Sequence, residues 1–556
     1  MKKTFLLLSA FFVCSFCFQL KAANFTYYVS PTGDDTSNDG LTATAPFMTI
    51  SKVNGLLSAG QSAIIYLEED AVFTERVFFD KSGIELEIIG NNTKIVRPTG
   101  TGGWDQTLRF NNVSVVKLKG ITVENSSCKA IGGVIFASGQ DMEVEDCIFK
   151  NNSTIDQPIG GSVIASRTVN LIIKNCYFEN NKSLTGTGTG NIAYAGAILH
   201  SGVGGEFLVE NSTFVGNTVD KSNSDAAGSA FYFFESSPNI GPARITIRNN
   251  TFYNNTTTST GSGGTAVFTL NAGMTVADAY VVNNTFLFDE RGTGTETPAE
   301  IYKKNVIVRL EGTAHKLHLI NNVISGYRFS VAATTAASGR EAIVAKNNYA
   351  VVMGEHANAT DIANGVDGNI VISEGIVGTW DALTTTNINN LDANMATTGL
   401  ATSLSTDKTI PYIAIQSLTS PLVDAGLATY LISSEELIPA NDILGTLRAS
   451  SVGKTGDAVD IGAFEYVNNS GSGTILPQNL LEEQILVFQQ NNEIIINNNG
   501  TEKNMILAIM QIDGRKVAEM QVAGSLSISK NMLPKGALIF MFDNGIAKTA
   551  KKIVVL

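Results

Sequence analysis

Gly132-Gly133-Val134-Ile135 and, one short segment later, Phe149-Lys150-Asn151-Asn152 are the stretches on which the fold turns. The first pattern, small residues with glycine followed by apolar ones, returns at Gly160-Gly161-Ser162-Val163, Ala195-Gly196-Ala197-Ile198, Ala227-Gly228-Ser229-Ala230 and Gly263-Gly264-Thr265-Ala266. The second, a segment of the form Phe-x-x-Asn, returns at Phe178 to Asn181, Phe214 to Asn217 and Phe252 to Asn255, and continues less strictly through Phe286 and Ile324. Successive Phe residues of the strict series stand 29, 36 and 38 positions apart. Steps this variable suit a coil of strands joined by surface loops, and do not suit a helix-pair repeat of fixed length. Each segment is short, β-branched or aromatic, and bounded by Gly and Asn, which leaves no room for a crossover helix. Each repeat therefore reads as one rung of a parallel coil.

Aligning the second strand on its Phe places Asn175, Asn211, Asn249, Asn283 and Asn321 in one column, with Asp146 in the same place. In-register strands stack about 4.8 Å apart, so these amides are expected to hydrogen-bond along the stack as a ladder. Cys147 and Cys176 share the adjacent column and are expected to form a buried, unbridged stack, because parallel side chains in one column rarely meet the disulfide torsion.

These repeats resemble those of polymorphic outer-membrane proteins and of other right-handed parallel β-helix proteins of the pectin-lyase-like fold. The start agrees: Tyr27-Tyr28-Val29-Ser30-Pro31-Thr32-Gly33, Asn38-Asp39-Gly40-Leu41 and Pro46-Phe47-Met48-Thr49-Ile50 look like the entry segment of secreted β-helices, in which a short helix, here from Ile50 to Leu57, caps the first coil. Ser420 to Gly426, Asp442 to Arg448 and Val459 to Tyr466 are similar to the closing segment catalogued as a choice-of-anchor domain. Asp513 to Val517, Leu533 to Gly536 and Lys551 to Leu556 resemble the C-terminal sorting domain of type IX secretion. The fold class expected is all-β, a right-handed parallel β-helix solenoid followed by a small C-terminal β-sandwich. The expected divisions are a signal peptide at 1–23, the capped β-helix at 24–400, the closing segment at 401–468, a Gly/Ser/Asn linker at 469–476 and the sorting domain at 477–556.

Composition agrees with a large packed body. Of 556 residues, 44 % are hydrophobic and 16 % charged, too apolar and too weakly charged for a mainly disordered chain. Lys2 and Lys3 followed by an apolar run from Phe5 to Phe18 and small Ala22 and Ala23 read as an export signal, and the apolar run is too short to span a bilayer. Cys128, Cys147 and Cys176 follow that segment, and an odd number excludes a complete disulfide framework. Positions 24–476 hold 27 basic against 44 acidic residues, a net −17, which makes nucleic acid a poor partner. The expected location is outside the cell or on the outer-membrane surface of a diderm bacterium, as a monomer, with the secretion machinery engaging the C-terminal domain.

Function has to be argued from a site, since this fold hosts lyases, hydrolases, esterases and adhesins. Hydrolases of this fold need facing carboxylates across a groove, and no strand column supplies such a pair. Glu145, Lys174, Glu210 and Arg248 share one column but alternate in sign, as a solvated ion-paired face does. A lyase needs a basic side chain beside the uronate, usually with calcium. Asp34, Asp35, Asn38 and Asp39 are the densest oxygen-ligand cluster and the candidate calcium site, although Asp-Gly turn chemistry explains them equally well. No other cofactor is called for. Arg244, Arg248, Arg309 and Arg328 offer scattered positive charge. Counting four residues past the last Gly of the first strand gives Ala137, Ala165, His200, Tyr232 and Phe268. If that column faces outward, His200, Tyr232 and Phe268 form an aromatic row suited to stacking on sugars or a partner surface; if inward, they are core. The reading reached is a displayed β-helix that binds a polysaccharide or cell-surface glycan in the manner of an adhesin, with a polysaccharide lyase or glycoside hydrolase as the alternative.

Overall fold

The computed structural model describes residues 24–98, 106–155, 160–184, 193–202, 204–220, 226–233, 244–257, 265–270, 278–289, 305–310, 316–327, 329–333, 343–352, 362, 364–373, 385–448, 459–466, 485–490, 493–498, 505–511, 515–522, 525–543 and 548–555. The signal-like segment and the linker lie outside them, as does Arg328.

The described residues between 25 and 373 wind into a parallel β-helix with three long faces, each rung contributing up to one strand to each. The first face runs from Val77–Phe79 to Phe329–Ala333, the second from Phe25–Val29 to Ile343–Lys346, and the third from Val72–Thr74 to Ile370–Ser373. Neighbouring rungs pair in parallel, with residues of equivalent strands in register. A fourth, short strip, Ser127–Cys128 to Thr256–Thr257, closes five of the rungs.

Alternation along each strand sends every second side chain into the coil. Phe149, Phe178, Phe214, Phe252 and Phe286 fall in one buried column on the third face, with ring centroids 5.1, 4.6, 5.2 and 4.7 Å apart. Truncating such a ring to alanine typically costs about 3–5 kcal/mol, so this column is a main support of the coil.

The expected Asn column is bonded along the stack in part: Asn175 donates to Asp146 at 3.3 Å, Asn249 to Asn211 at 2.7 Å and Asn321 to Asn283 at 3.4 Å. Asp146, Asn175, Asn211, Asn249, Asn283, Asn321 and Asn347 all sit at φ between 50 and 62°, at the corner between the second and third faces. Their left-handed backbone turns the side chain away from the coil, and Asn tolerates that conformation better than most residues. The continuous ladder is one residue further on, where Asn250, Asn284, Asn322, Asn348 and Asn369 point inward. Each side-chain oxygen accepts from the amide nitrogen of the residue one rung earlier, at 2.9 to 3.0 Å. A second ladder runs through Asn152, Asn181, Asn217 and Asn255, the last residue of each Phe-x-x-Asn motif. Cys147 and Cys176 stand in the earlier rungs of the first ladder column, buried and unbridged.

The corner column has a further task. A long segment follows the last rung and helix α2 (Thr385–Ala396), and it returns along the coil. Asn249 donates to the Asn441 carbonyl, Asn283 to those of Asp460 and Gly462, Asn321 to that of Leu427, and Asn347 to that of Ala425. Corner amides thus read the backbone of the closing segment as well as one another. Arg448, 2 % exposed on its side chain, pins the same segment through Glu465, the side-chain oxygen of Asn249 and the Gly462 carbonyl.

At the other end, helix α1 (Ile50–Leu56) covers the first coil. Thr49 caps it by accepting from the Lys52 amide, and Ile50 and Val53 are its buried face. Beyond the closing segment, a three-stranded antiparallel sheet (Ile485–Gln490, Glu493–Asn498, Ser525–Ser529) and a four-stranded one (Met505–Gln511, Lys516–Val522, Gly536–Asp543, Lys548–Val555) share one apolar cluster containing Ile494, Leu507 and Phe540. Among the described residues, no helix is long and apolar enough to cross a membrane.

Candidate functional site: a ring and guanidinium ladder

The outward side chains of the first face form the most distinctive surface. Register places Phe78 beside Arg109, Arg109 beside Phe136, and Phe136 beside Ala165, so one column crosses four rungs. Arg167 projects from the same strand as Ala165, two residues on, and therefore to the same side. The Arg109 guanidinium carbon lies 5.8 Å from the Phe78 ring centroid and 5.3 Å from that of Phe136, and the Arg167 carbon 5.7 Å from Phe136. Rings and cations alternate: Phe78, Arg109, Phe136, Arg167. A guanidinium near an aromatic ring at such distances contributes about 0.5–1 kcal/mol at an exposed site, which holds the side chain in place while leaving N–H groups for a ligand. Phe78 is 39 % exposed, Phe136 is buried at 9 %, and Arg167 is exposed. Arg109 donates to the Asn111 side-chain oxygen at 3.3 Å.

Neither of these two cations has a carboxylate partner among the described residues. On the second face several cations are neutralised: Lys119 pairs with Glu145 at 2.9 Å and Arg248 with Glu210 at 2.7 Å, while Lys117 and Lys174 flank Glu143 at 3.4 and 3.7 Å. The expected sign-alternating column therefore exists, but its side chains are 18 to 43 % exposed and half-buried for the most part. Arg244 and Arg248, offered as scattered positive charge, are committed to such pairs.

The aromatic row expected at His200, Tyr232 and Phe268 is corrected by the register. Phe268 pairs beside Phe231, Tyr232 beside Leu199 and Thr269, and His200 beside Ser166 and Phe233, which makes three columns. All three residues are at most 1 % exposed. The left-handed residue that starts each first-face strand is Gly132, Gly161, Ala195 or Gly228, whereas the last Gly of the motif is Gly133, Gly161, Gly196 or Gly228. Counting from the last Gly slips by one residue on alternate rungs, and a one-residue slip exchanges the two faces of a strand. His200 and Phe268 point into the coil. Tyr232 stays in the outward column of Phe78 and Phe136, but Tyr194 stacks over it at 4.1 Å and closes it from solvent. The ladder residues were legible in the same strands, since Leu108-Arg109-Phe110 and Ile135-Phe136-Ala137 alternate once the count starts at the left-handed residue.

His200 is fully buried, and neither ring nitrogen has a hydrogen-bond partner among the described residues. Burial pushes its pKa down to about 3, so the ring is neutral at any ordinary pH. It packs beside Phe207 at 5.5 Å.

Asp34, Asp35, Asn38 and Asp39 are each engaged within the entry loop. Asp34 accepts from the amides of Thr36 and Ser37, Asp35 from those of Met48 and Thr49 and from the Thr49 hydroxyl, and Asp39 from that of Leu41, while Asn38 donates to the Pro46 carbonyl. The Thr36 amide foremost holds the Asp34 carboxyl below the usual range. Among the described residues, no three His, Cys, Asp or Glu side chains converge closely enough to hold an ion.

No family model matches the chain, and no curated protein matches it. Among solved structures, the pectate lyase Pel9A is similar with a TM-score of 0.33 at 16 % identity, over 80 % of this chain and 97 % of that one. A rhamnogalacturonan lyase follows with a TM-score of 0.28 at 13 % identity, over 58 % and 87 %. At those scores the functional reading rests on this chain's own side chains.

Proposed function

We propose that this protein is an exported, surface-displayed glycan-binding β-helix whose Phe78–Arg109–Phe136–Arg167 ladder takes an acidic polysaccharide. The observation that carries the reading is the pair of guanidiniums with no carboxylate partner among the described residues, on a body of net charge −17. A polyanion is repelled by such a body unless a local basic patch receives it, and the ladder is that patch. Each guanidinium presents a fork of donors matched to a carboxylate or sulfate, and the exposed face of Phe78 suits the apolar side of a sugar ring. Rungs repeat about every 4.8 Å, close to the length of one sugar in an extended chain, so the polymer would lie along the coil axis.

Binding an immobilised acidic polysaccharide, with its carboxyl-reduced counterpart as control, tests this. Arg109→Ala with Arg167→Ala should weaken binding by about tenfold or more, which corresponds to about 1.4 kcal/mol, with the melting temperature little changed. Equal binding by wild type and the double variant would remove the ladder from consideration. The second reading, a polysaccharide lyase or glycoside hydrolase, is favoured by the same guanidiniums, since a lyase needs a cation at the uronate carboxylate. Release of unsaturated or shortened sugars from the same polysaccharide by the wild type would replace the binding reading with a catalytic one.

Export is carried by the signal-like start and by the resemblance of the C-terminal strands to a sorting domain. Deleting 477–556 in the native host should retain the protein in the periplasm, and undiminished surface delivery would exclude that role.

A further inference from the structure

On the second face, at the rungs the closing segment covers, Arg244, Tyr280 and His318 stand on three successive rungs and point outward. The Arg244 guanidinium lies 5.2 Å from the Tyr280 ring centroid, Tyr280 lies 4.8 Å from the His318 ring, and Thr246 completes the patch within 3.3 Å of Arg244 Nε. Once the segment over it lifts, this arrangement holds a fork of donors, a ring face and hydrogen-bonding side chains, which is what a carboxylated sugar requires.

The fork is occupied by the chain itself. Glu435 takes both terminal guanidinium nitrogens, at 2.5 and 2.8 Å. It is carried by a minimal hairpin, Leu431–Ile432 paired with Glu435–Glu436. Three features make that hairpin weakly held. Its turn places Ser433 and Ser434 both at positive φ, 49 and 74°, where Asn-Gly is the sequence of choice. Leu431 is 61 % exposed, and Glu435 itself is 34 % exposed. Arg244 already has Glu206 at 3.7 Å, and Asp278 lies beside it on the next rung, so Glu435 is an additional anion there. Leu437 and Ile438 are buried against Tyr280, Val282 and Ile320, so the Tyr280 ring is reached only when this stretch lifts together with the hairpin. Tyr430, on the other side of the hairpin, closes over His318, with its hydroxyl 2.8 Å from His318 Nδ1.

We infer that the outer face at Arg244, Tyr280 and His318 is a second site for a carboxylated sugar, closed by the hairpin, with Glu435 as the built-in occupant of the carboxylate position. It rests on the acidic-glycan reading only for the class of ligand, since the residues and the face are different. An acidic ligand competes with Glu435 for one guanidinium, so weakening the hairpin opens the site and strengthening it shuts it.

The test uses the full chain with both ladder arginines already replaced by alanine, so that any remaining binding comes from the second site. Oligogalacturonate is the probe and its carboxyl-reduced form the control. In that background Glu435→Gln should tighten binding at least threefold, and Ser433→Asn with Ser434→Gly should weaken it to a similar degree. Adding the probe should also speed hydrogen exchange at the amides of Tyr430 and Ile438, which Glu436 now holds. Failure of either hairpin variant to move affinity in its direction overturns the inference, as does binding that survives Arg244→Ala undiminished. The outer ladder fails separately: wild type and ladder-free protein would then bind the probe alike, with the hairpin effects intact.

Discussion

Arg448 donates to the side-chain oxygen of Asn249, 199 residues earlier in the chain, inside an interface with no exposed surface to speak of. The same guanidinium meets Glu465, whose carboxyl burial pushes up and Arg448 pulls back down. Asp442 and Asp460, also raised by burial, crowd the pair. One cation thus ties the closing segment to the coil and balances the acids that come with it.

Arg448→Met should therefore cost about 3–5 kcal/mol, because it leaves Glu465 and Asn249 buried without their partner. Replacing Arg448 and Glu465 together by apolar residues should cost less than the single change. Denaturant melts of the two variants check the order, and a single variant as stable as the double would show that the pair is not the fastening.

His200 gives acid sensitivity with a definite sign. Its folded pKa lies near 3, below the ordinary value of 6.5, so between those values only the unfolded chain takes up the proton. Stability from this group is complete above pH 6.5 and falls as the pH drops towards 3, by about 1.4 kcal/mol per pH unit at most. The buried acids of the closing segment, with raised values, act in the opposite sense. Comparing unfolding free energies of wild type and His200→Leu at pH 7 and pH 4 isolates the His200 part; equal pH dependence in both would contradict it.

The two Asn columns should respond differently. Asn217 accepts from the amide and side chain of Asn181 and donates to the Phe178 carbonyl and to Asn255, all buried. Asn217→Ala strands several of these groups at about 1–3 kcal/mol for each one left unpaired. Asn175, at φ 51° on a partly exposed corner, should accept glycine within about 0.5 kcal/mol. Thermal melts of the two variants decide whether the ladder is where the hydrogen bonds place it.

Cys128, Cys147 and Cys176 are buried thiols, and burial foremost raises the pKa of Cys176. A thiol reagent should modify none of them in the folded protein and all of them in denaturant. Rapid labelling under native conditions would indicate that the early rungs open.

The repeated Gly-Gly and Phe-x-x-Asn motifs determined the coil by themselves, because inward Phe and Asn residues must recur once per rung for a parallel stack to bury its core and pair its amides. The two-residue period also fixed Phe149, Phe178, Phe214 and Phe252 as one buried column. Other features depended on a register to within one residue, or on contacts between segments nearly 200 residues apart, neither of which a motif specifies. Whether a residue faces in or out flips with a single-residue slip, so only the backbone turn at Gly132, Gly161, Ala195 and Gly228 decided that His200 lies inside and Phe136 outside. Only the return of the closing segment decided that the corner Asn residues hold another stretch of backbone. Pairing across the rungs, likewise, decided that Arg248 and Lys119 meet carboxylates while Arg109 and Arg167 face aromatic rings.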